Sequence, residues 1–255
     1  PYLDEVQWTL GVPSGTQRHL FERGEIDLVD DLTGVDTARF ASDDRYAATR
    51  RWVVKHATHG IFLNTEIRPF NNRHLRRAVG FAVDPSVLSR VRASIAPTDH
   101  VVPASLWAHP DRRLPPRHDV AAALREMALA GFAFDPASGR GGYPDVIAYL
   151  TTPDSFDQSA AEVYQQQLAR VGIRIRLDLV SWASWLARIS RRGQVPMGWR
   201  GWQADYPDPA AFFEPILTTA AIQAEGSQNV SFWSNAAFDE LIAAARAETD
   251  SDKRA

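Results

Sequence analysis

The residues best suited to chemistry lie together in residues 201–209, which read GWQADYPDP. In this segment Asp205 follows Trp202 and directly precedes Tyr206. A carboxylate beside aromatic rings suits an ammonium group, which gains a charge-assisted hydrogen bond and a cation–π contact. Asp205 is therefore a candidate for binding a positively charged group. The alternative is that Asp205 and Asp208 are only turn and helix-capping residues.

The tryptophans near this segment have different expected roles. Four of the eight fall between Trp182 and Trp202. Trp182 and Trp185 have helical spacing with apolar neighbours, which predicts that both belong to the core. Trp199 and Trp202 are three residues apart in a predicted strand and so point to opposite faces. At most one of them can face a ligand, and we favour Trp202 because it is nearer the strand end.

No catalytic or metal-binding signature accompanies the acidic segment. All seven histidines precede residue 119, so no imidazole lies near it in sequence. His56 and His59 would face opposite ways in a strand, which favours structural or exposed roles over a metal pair. The sequence contains no G-x-S-x-G, H-E-x-x-H or P-loop motif. We therefore predict no catalytic residue, no metal ligand and no cofactor.

Composition restricts the function classes further. The 255 residues are 45% hydrophobic and 23% charged, with a formal net charge of −3 and no cysteine. This composition is typical of a globular protein and excludes thiol nucleophiles and cysteine-based metal sites. The mild acidity argues against a nucleic-acid partner. Since the chain starts at Pro1 and stops within a helical pattern, we expect a fragment whose missing front carried a signal sequence.

The elements that position the acidic segment alternate in type. The first part is mixed: strand patterns at residues 2–10, 25–29 and 60–64, and a helix at 16–23. A helix at 73–82, a long loop at 95–118 and a helix capped by Asp119 follow. Beyond them the pattern predicts strands at 146–150, 173–179 and 195–202, alternating with helices at 159–171, after Ser181 and after the N-cap Asp208. This order predicts an α/β domain with a largely parallel or mixed sheet.

The place of residues 201–209 in this order is informative. They follow a predicted strand and precede a predicted helix. In open α/β sheets, ligands bind beyond the carboxyl ends of the strands. The sequence therefore predicts that Asp205 lies where such sheets bind ligands.

Five segments, taken in order, resemble one known family. They are GEIDLV at 24–29, GIFLNT at 60–65, PFNNRHLRRAVGFAVD at 69–84, the GWQADYPDP loop, and the asparagine-rich and FDELI stretch over 229–250. Together they are similar to the family 5 solute-binding proteins of bacterial ABC importers, and they extend over essentially the whole chain.

The resemblance implies a periplasmic-binding-protein-like fold of two lobes. Residues 1–66 would be the later part of the first lobe. Residues 67–255 would form the second lobe, a mixed sheet flanked by helices, largely complete but truncated at its C-terminus. The resemblance also implies that the natural chain extends in both directions.

The resemblance further implies a binding protein and not an enzyme. It would capture a peptide-like solute in the cleft between the lobes and deliver it to an ABC permease in the membrane. We expect a monomer that is periplasmic or otherwise extracytoplasmic, with lipid anchoring left open. Sugar or metal-chelate binding is the alternative within the family. A carbohydrate-active enzyme using Asp205 and Asp208 is the rival from another class.

The family pattern also suggests site residues. Asp205 stands where peptide-binding members receive the α-ammonium group, with Trp202 and Tyr206 beside it, and Asn229 belongs to the matching asparagine segment. Residues 156–162 contain no arginine for a dipeptide carboxylate, which favours a longer peptide or a ligand without that group. Arg200 is a candidate replacement cation. Arginine supplies 26 of the 28 basic residues, however, so a solvated Arg200 is the alternative.

Overall fold

A four-stranded mixed sheet lies at the centre of the computed structural model, which describes residues 2–30, 32–92, 94–110 and 118–254. Within these residues the strands are β1 (Ala57–Leu63), β2 (Phe134–Asp135), β3 (Arg140–Gly141), β4 (Val146–Thr151), β5 (Arg174–Leu179) and β6 (Met197–Gln203). The sheet has the order β1-β6-β4-β5, while β2 and β3 form a separate hairpin. Strand β4 is parallel to both β5 and β6, and β1 is antiparallel to β6. The predicted mixed sheet is confirmed.

Ten α-helices accompany the sheet in the described part of the chain. They are α1 (Ser14–Glu22), α2 (Gly34–Ser42), α3 (Arg73–Ala82), α4 (Ser86–Val91), α5 (Val120–Leu129), α6 (Ser155–Ala169), α7 (Trp182–Ile189), α8 (Ala210–Leu217), α9 (Ala236–Ala247) and α10 (Ser251–Arg254). Several begin at a side chain that accepts hydrogen bonds from the first turn, including Asn72 before α3 and Asp119 before α5. None of the described helices is both long and apolar enough to cross a membrane.

The core lies on both faces of the sheet. Ile147 and Tyr149 of β4 belong to a large buried cluster that includes side chains of α3, α5 and α6. Leu150, which points to the other face, packs in a second cluster with Trp185 and Ile189 of α7. A strand covered on both faces reads as a continuous apolar run, as β4 does.

Strands β4 and β6 overlap only briefly. Their pairing is confined to Tyr149 with Met197 and Leu150 with Gly198. In contrast, β1 pairs with β6 along all seven of its residues. The second half of β6 therefore forms a two-stranded ribbon with β1, which extends past the carboxyl end of β4. From β4 the chain continues to β5 on one side and then to β6 on the other side. The order of the strands in the sheet therefore reverses at β4.

Two strand predictions in the first part are wrong. Residues 2–10 and 25–29 adopt no strand structure, and neither segment pairs with another strand among the described residues. Alternating apolar side chains need a partner strand before they form a ladder, so the pattern alone was insufficient. Leu3, Val6, Trp8 and Leu10 are instead highly exposed.

The other predicted helices and strands are present and differ mainly at their ends, whereas α2, α4, α9 and the β2–β3 hairpin were not predicted. Residues 111–117 of the predicted loop lie outside the described residues. Helix α3 has the predicted bounds. Helix α6 begins four residues earlier than expected, because Asp154 accepts hydrogen bonds from the backbone N–H groups of Phe156 and Asp157. Strand β1 begins at Ala57, three residues before the predicted start.

The division of the chain into lobes stays a prediction, but β1 bears on it. A boundary between residues 66 and 67 assigns β1 to the first lobe. In the structure β1 forms the edge of the same sheet as β6. A division that leaves this sheet whole would therefore fall before Ala57.

Candidate functional site

Asp205 lies in the loop that follows the end of β6, at the tip of the ribbon. Its side chain is exposed and forms no hydrogen bond or ion pair with the described residues. Tyr206 beside it is half exposed, and its carbonyl oxygen accepts a hydrogen bond from the N–H of Asp208. Burial raises the pKa of Tyr206, with the negative charges of Glu214 and Asp208 adding to the effect. The loop thus presents a free carboxylate beside a phenol.

Trp202 lies near the end of β6, three residues before Asp205. Its indole Nε1 donates a hydrogen bond of 2.6 Å to the carbonyl oxygen of Ala211 in α8. The ring packs against a buried cluster formed by Val102, Leu106 and Phe212. Trp202 is therefore fixed in place, with only part of its surface left to meet a ligand.

Arg200 lies over the Trp202 ring, with its guanidinium carbon 4.9 Å from the ring centre. Its Nη2 is 3.4 Å from the side-chain oxygen of Gln228, and its Nε is buried without a partner among the described residues. Burial lowers the pKa of Arg200 to about 10. Arg200 is thus a partly desolvated cation with no carboxylate partner in the described chain, and not a solvated surface arginine.

Asp208 has a structural role. Its Oδ1 accepts hydrogen bonds of 2.8 Å from the backbone N–H of Ala210 and from Nη2 of Arg254. Pro209 is the residue that precedes α8, so the predicted N-cap lies one residue further on, although Asp208 still caps the first turn with its side chain. A carboxylate occupied in this way is poorly placed to exchange protons with a substrate.

Asn229 supports the neighbouring loop from inside. Its side chain is completely buried. The Nδ2 donates to the carbonyl oxygens of Thr218 and Trp233, and the Oδ1 accepts from the Ser231 hydroxyl at 2.9 Å. The expectation that Asn229 contacts a ligand is thus at odds with its position, because every polar atom of its amide already has a partner within the fold.

A cavity of about 380 Å³ opens beyond the carboxyl ends of β4 and β5. Its lining includes side chains of the segment before α6, the first turn of α6, the start of α7 and the ribbon: Thr152, Asp154, Asp157, Ser181, Trp182 and Trp199. Because β4, β5 and β6 run in parallel, this cavity and the Asp205 loop lie at the same edge of the sheet.

Three indoles meet at the cavity. Trp185 stacks on Trp199 with ring centres 4.5 Å apart, and Trp182 stacks on Trp185 at 4.9 Å. Trp185 is buried, but Trp182 is 58% exposed, so the prediction that Trp182 belongs to the core is wrong. It is the first residue of α7, and more than half of its surface stays exposed although its ring stacks on Trp185.

Gly201 has no side chain, and the rings of Trp199 and His59 occupy the space where a Cβ would lie. A Cβ at this position would lie 2.8 Å from the Trp199 ring and 2.9 Å from the imidazole of His59. His59 stacks on Trp199 from the neighbouring strand, with 6.0 Å between the ring centres. Although His59 as a residue is exposed, its ring is partly desolvated, which lowers its pKa, and the positive charges of Arg92 and Lys55 add to this.

Asp157 is the carboxylate that the structure sets deepest in the cavity wall. Its Oδ2 accepts a hydrogen bond of 2.6 Å from the Thr152 hydroxyl. Burial raises the pKa of Asp157 to about 6, against the opposing effects of that hydrogen bond and of the positive charge of Arg92. The described residues contain no group of three or more histidine and acidic side chains that could hold a metal.

Sequence reasoning selected the Asp205 loop, which stays a prediction, and did not consider the cavity. Trp182 and Trp199 both line it, and Trp199 was passed over in favour of Trp202. Two signals were available. The run T-P-D-S-F-D, residues 152–157, has the helix-capping pattern that places the start of α6 at the end of β4. A glycine within a strand, such as Gly201, indicates that other groups approach closely.

The model of the family described as bacterial extracellular solute-binding proteins, family 5 Middle, matches residues 1–224. The chain belongs to this family. The predicted resemblance is thereby confirmed.

Curated relatives of this family 5 chain match it at about a quarter identity. Heme-binding protein A of Haemophilus influenzae is 26% identical over 247 residues, which cover 96% of this chain and 43% of the relative. The glutathione-binding protein GsiB of Pectobacterium atrosepticum is 25% identical, covering 98% of this chain and 48% of the relative. The chain therefore spans less than half the length of these relatives.

Solved structures share its fold. The periplasmic binding protein DppA of Helicobacter pylori, in complex with the peptide STSA, superposes with a TM-score of 0.80 at 24% identity over 95% of this chain and 45% of its own. A periplasmic oligopeptide-binding protein of Borrelia burgdorferi gives 0.77 at 21% identity, over 94% of this chain and 46% of its own. The predicted periplasmic-binding-protein fold class is confirmed.

Proposed function

We propose that the protein containing this chain is the substrate-binding component of a bacterial ABC importer. It captures a peptide-like solute outside the cytoplasm and presents it to a membrane permease. Family membership supports this proposal, as do relatives named for binding dipeptides and glutathione. The proposed mechanism is capture by closure, in which the ligand stabilises the closed form through its greater affinity for that form. The protein carries out no chemistry of its own.

The observation that carries the proposal is the free carboxylate of Asp205. It is exposed in the loop after β6, directly before Tyr206 and three residues after Trp202, whose ring is fixed by a hydrogen bond to α8. An ammonium group is the ligand chemistry that this arrangement satisfies best. The α-ammonium of a peptide is such a group.

Arg200 is the proposed partner for a ligand carboxylate or carbonyl. Its guanidinium is partly desolvated and faces no acid among the described residues. A negative group from a ligand would compensate this cation, as Asp205 would compensate an ammonium. We therefore retain Asp205, Trp202, Tyr206 and Arg200 as proposed ligand-contacting residues and propose that Asn229 only shapes the adjoining loop.

The test is a matched pair of substitutions in the full-length protein. Pools of tri- to pentapeptides would be titrated by calorimetry into the wild type, Asp205→Asn and Asp208→Asn. Losing one partner of a buried charge pair costs roughly 2–5 kcal/mol, so Asp205→Asn should weaken binding about 30-fold or more. Asp208→Asn should change it little, because asparagine also caps helices.

Other outcomes would contradict the proposal in distinct ways. A larger loss from Asp208→Asn would mean that the wrong acid has been chosen. No binding of any peptide pool by the wild type would exclude peptides as the solute. Cleavage products in the mass spectrum after incubation with peptides or oligosaccharides would favour the enzyme alternative.

A further inference from the structure

The cavity beyond β4 and β5 combines acidic groups with aromatic walls. Asp154 and Asp157 come from the start of α6, and Trp182 and Trp199 supply the indoles. Neither lysine nor arginine is among its lining residues. Its volume of about 380 Å³ falls within the roughly 300–1,000 Å³ of small-molecule pockets. The walls therefore offer negative charge and π faces.

The helix ends at the cavity do not make it an anion site. Helices α6 and α7 both begin there, and free N–H groups at helix starts attract anions. Here Asp154 accepts from the N–H groups of Phe156 and Asp157, and Ser181 accepts from that of Ser184. The caps thus satisfy several of the donors that an anion would use, and the Asp154 cap adds a negative charge.

Asp157 has no ion-pair partner among the described residues. It is partly buried, and its hydrogen-bond partner is the neutral hydroxyl of Thr152. Arg92 is the positive charge that acts on it, from a position over the Phe156 ring. Among its other titratable neighbours, Asp154 is acidic, and Tyr149 and Tyr164 feel the charge of Asp157. The negative charge of the Asp157 carboxylate is therefore only partly compensated by its neighbours. A cation that enters the cavity would compensate it.

We propose that this cavity binds a flat organic cation, a guanidinium or amidinium group, which stacks on Trp182 or Trp199 and pairs with Asp157. A planar, weakly hydrated cation suits indole faces better than a compact ammonium does. The proposal rests on the proposed function for the identity of the natural ligand, which would be a solute with a basic side chain such as arginine. Each of the lining residues named above belongs to this chain.

The probes are three isosteres that differ in charge: benzamidine, benzamide and benzoate. Each would be titrated into the protein at pH 7.5, with intrinsic tryptophan fluorescence as the readout, since indoles line the cavity. We expect benzamidine to bind about tenfold more tightly than benzamide, and benzoate to bind more weakly than either.

Matched variants separate charge from stacking. Asp157→Asn preserves size and hydrogen bonding, so it should abolish the preference for benzamidine over benzamide while benzamide binding stays within about twofold. Trp182→Leu should weaken benzamidine and benzamide alike. Asp135→Asn changes an exposed acid that does not line the cavity, so it should leave the whole benzamidine series unchanged.

Each outcome bears directly on the cation site. The proposal would be overturned by equal affinity for benzamidine and benzamide or by tighter binding of benzoate. The absence of binding by every probe at about 20 mM would also overturn it. So would retention of the preference in Asp157→Asn. None of these results would affect the Asp205 titration with peptides, so failure of the cation site and failure of peptide capture are distinguishable.

Discussion

Asp157 shows how one residue can be unfavourable for folding and useful for binding. Its folded-state pKa of about 6 lies above the ordinary 3.8, because burial disfavours its charge. The folded protein therefore holds this proton more tightly than the unfolded chain does. As pH rises from about 4 to about 6, the free energy of unfolding falls. Above that range Asp157 causes no further decrease. A bound cation would remove much of this penalty.

Replacing the charge should therefore stabilise the protein at high pH. We expect Asp157→Asn to raise the free energy of unfolding at pH 8 by about 1 kcal/mol, a figure reduced from the full pKa shift because the carboxylate is partly exposed. That corresponds to roughly 2–4 °C in Tm. The gain should shrink between pH 6 and pH 4 and vanish below. Thermal melts monitored by circular dichroism at several pH values measure it.

Asp154→Asn is the matched control for this prediction. Asp154 lies three residues away, is exposed, and acts as a cap that asparagine can replace. The charge of Asp154 also contributes to the raised pKa of Asp157, after burial, so the melts of Asp154→Asn should depart from the wild type in the same direction but by much less than those of Asp157→Asn. A pH-independent gain in Asp157→Asn would show that packing and not charge is responsible.

These two acids also mark the limit of sequence-based prediction at the residue scale. Asp205 could be proposed from local sequence because Trp202 and Tyr206 lie within three residues of it. Asp157 depends on burial and on the approach of Trp199 from another strand. No local pattern encodes that approach, so Asp157 was missed.

Strand β6 depends on two glycines with different surroundings. A Cβ at Gly198 would lie 2.5 Å from the carbonyl oxygen of Leu150 in the neighbouring strand. At Gly201 the close atoms belong to the rings of Trp199 and His59. Backbone in the middle of a sheet cannot shift without disturbing the ladder, whereas side-chain rings can rotate.

The two glycines should therefore respond differently to alanine. Gly198→Ala should cost about 1–3 kcal/mol of stability, the usual range for overpacking a core. Gly201→Ala should cost less but displace the His59 ring from Trp199 and weaken benzamidine binding. Urea denaturation and the fluorescence titration measure the two effects. Greater destabilisation by Gly201→Ala would contradict this account.

Elements with local signals were predicted well, and those that depend on partners were not. Caps and apolar spacing located α3, α5 and α7, because both act within a few residues of the chain. The expected strands at residues 2–10 and 25–29 failed because a strand forms only against a partner. The exposure of Trp182 was missed for a related reason, since it depends on where the sheet ends.

At the scale of the whole molecule, the chain provides one wall of the proposed cleft. It spans less than half the length of its curated relatives. Small-molecule sites usually cover roughly 70–90% of a ligand's surface. A peptide lying across the Asp205 loop would find only part of that cover on this chain.

Residues 1–255 alone should therefore bind peptides weakly or not at all. We expect dissociation constants above the micromolar range for every peptide pool in calorimetry, with the full-length protein binding far more tightly. Benzamidine should bind both proteins alike, because its cavity lies within this chain. Micromolar peptide binding by residues 1–255 would contradict the need for a second wall.

The brief overlap between β4 and β6 bears on how this protein family diversifies. Beyond Gly198, the backbone of β6 pairs with β1 and not with the central strand β4. Substitutions of exposed side chains in the following loop, such as Asp205 and Tyr206, can therefore change the proposed ligand site without breaking the β4 ladder. The relatives that match this chain at about a quarter identity are named for three different ligands, which are heme, glutathione and dipeptides.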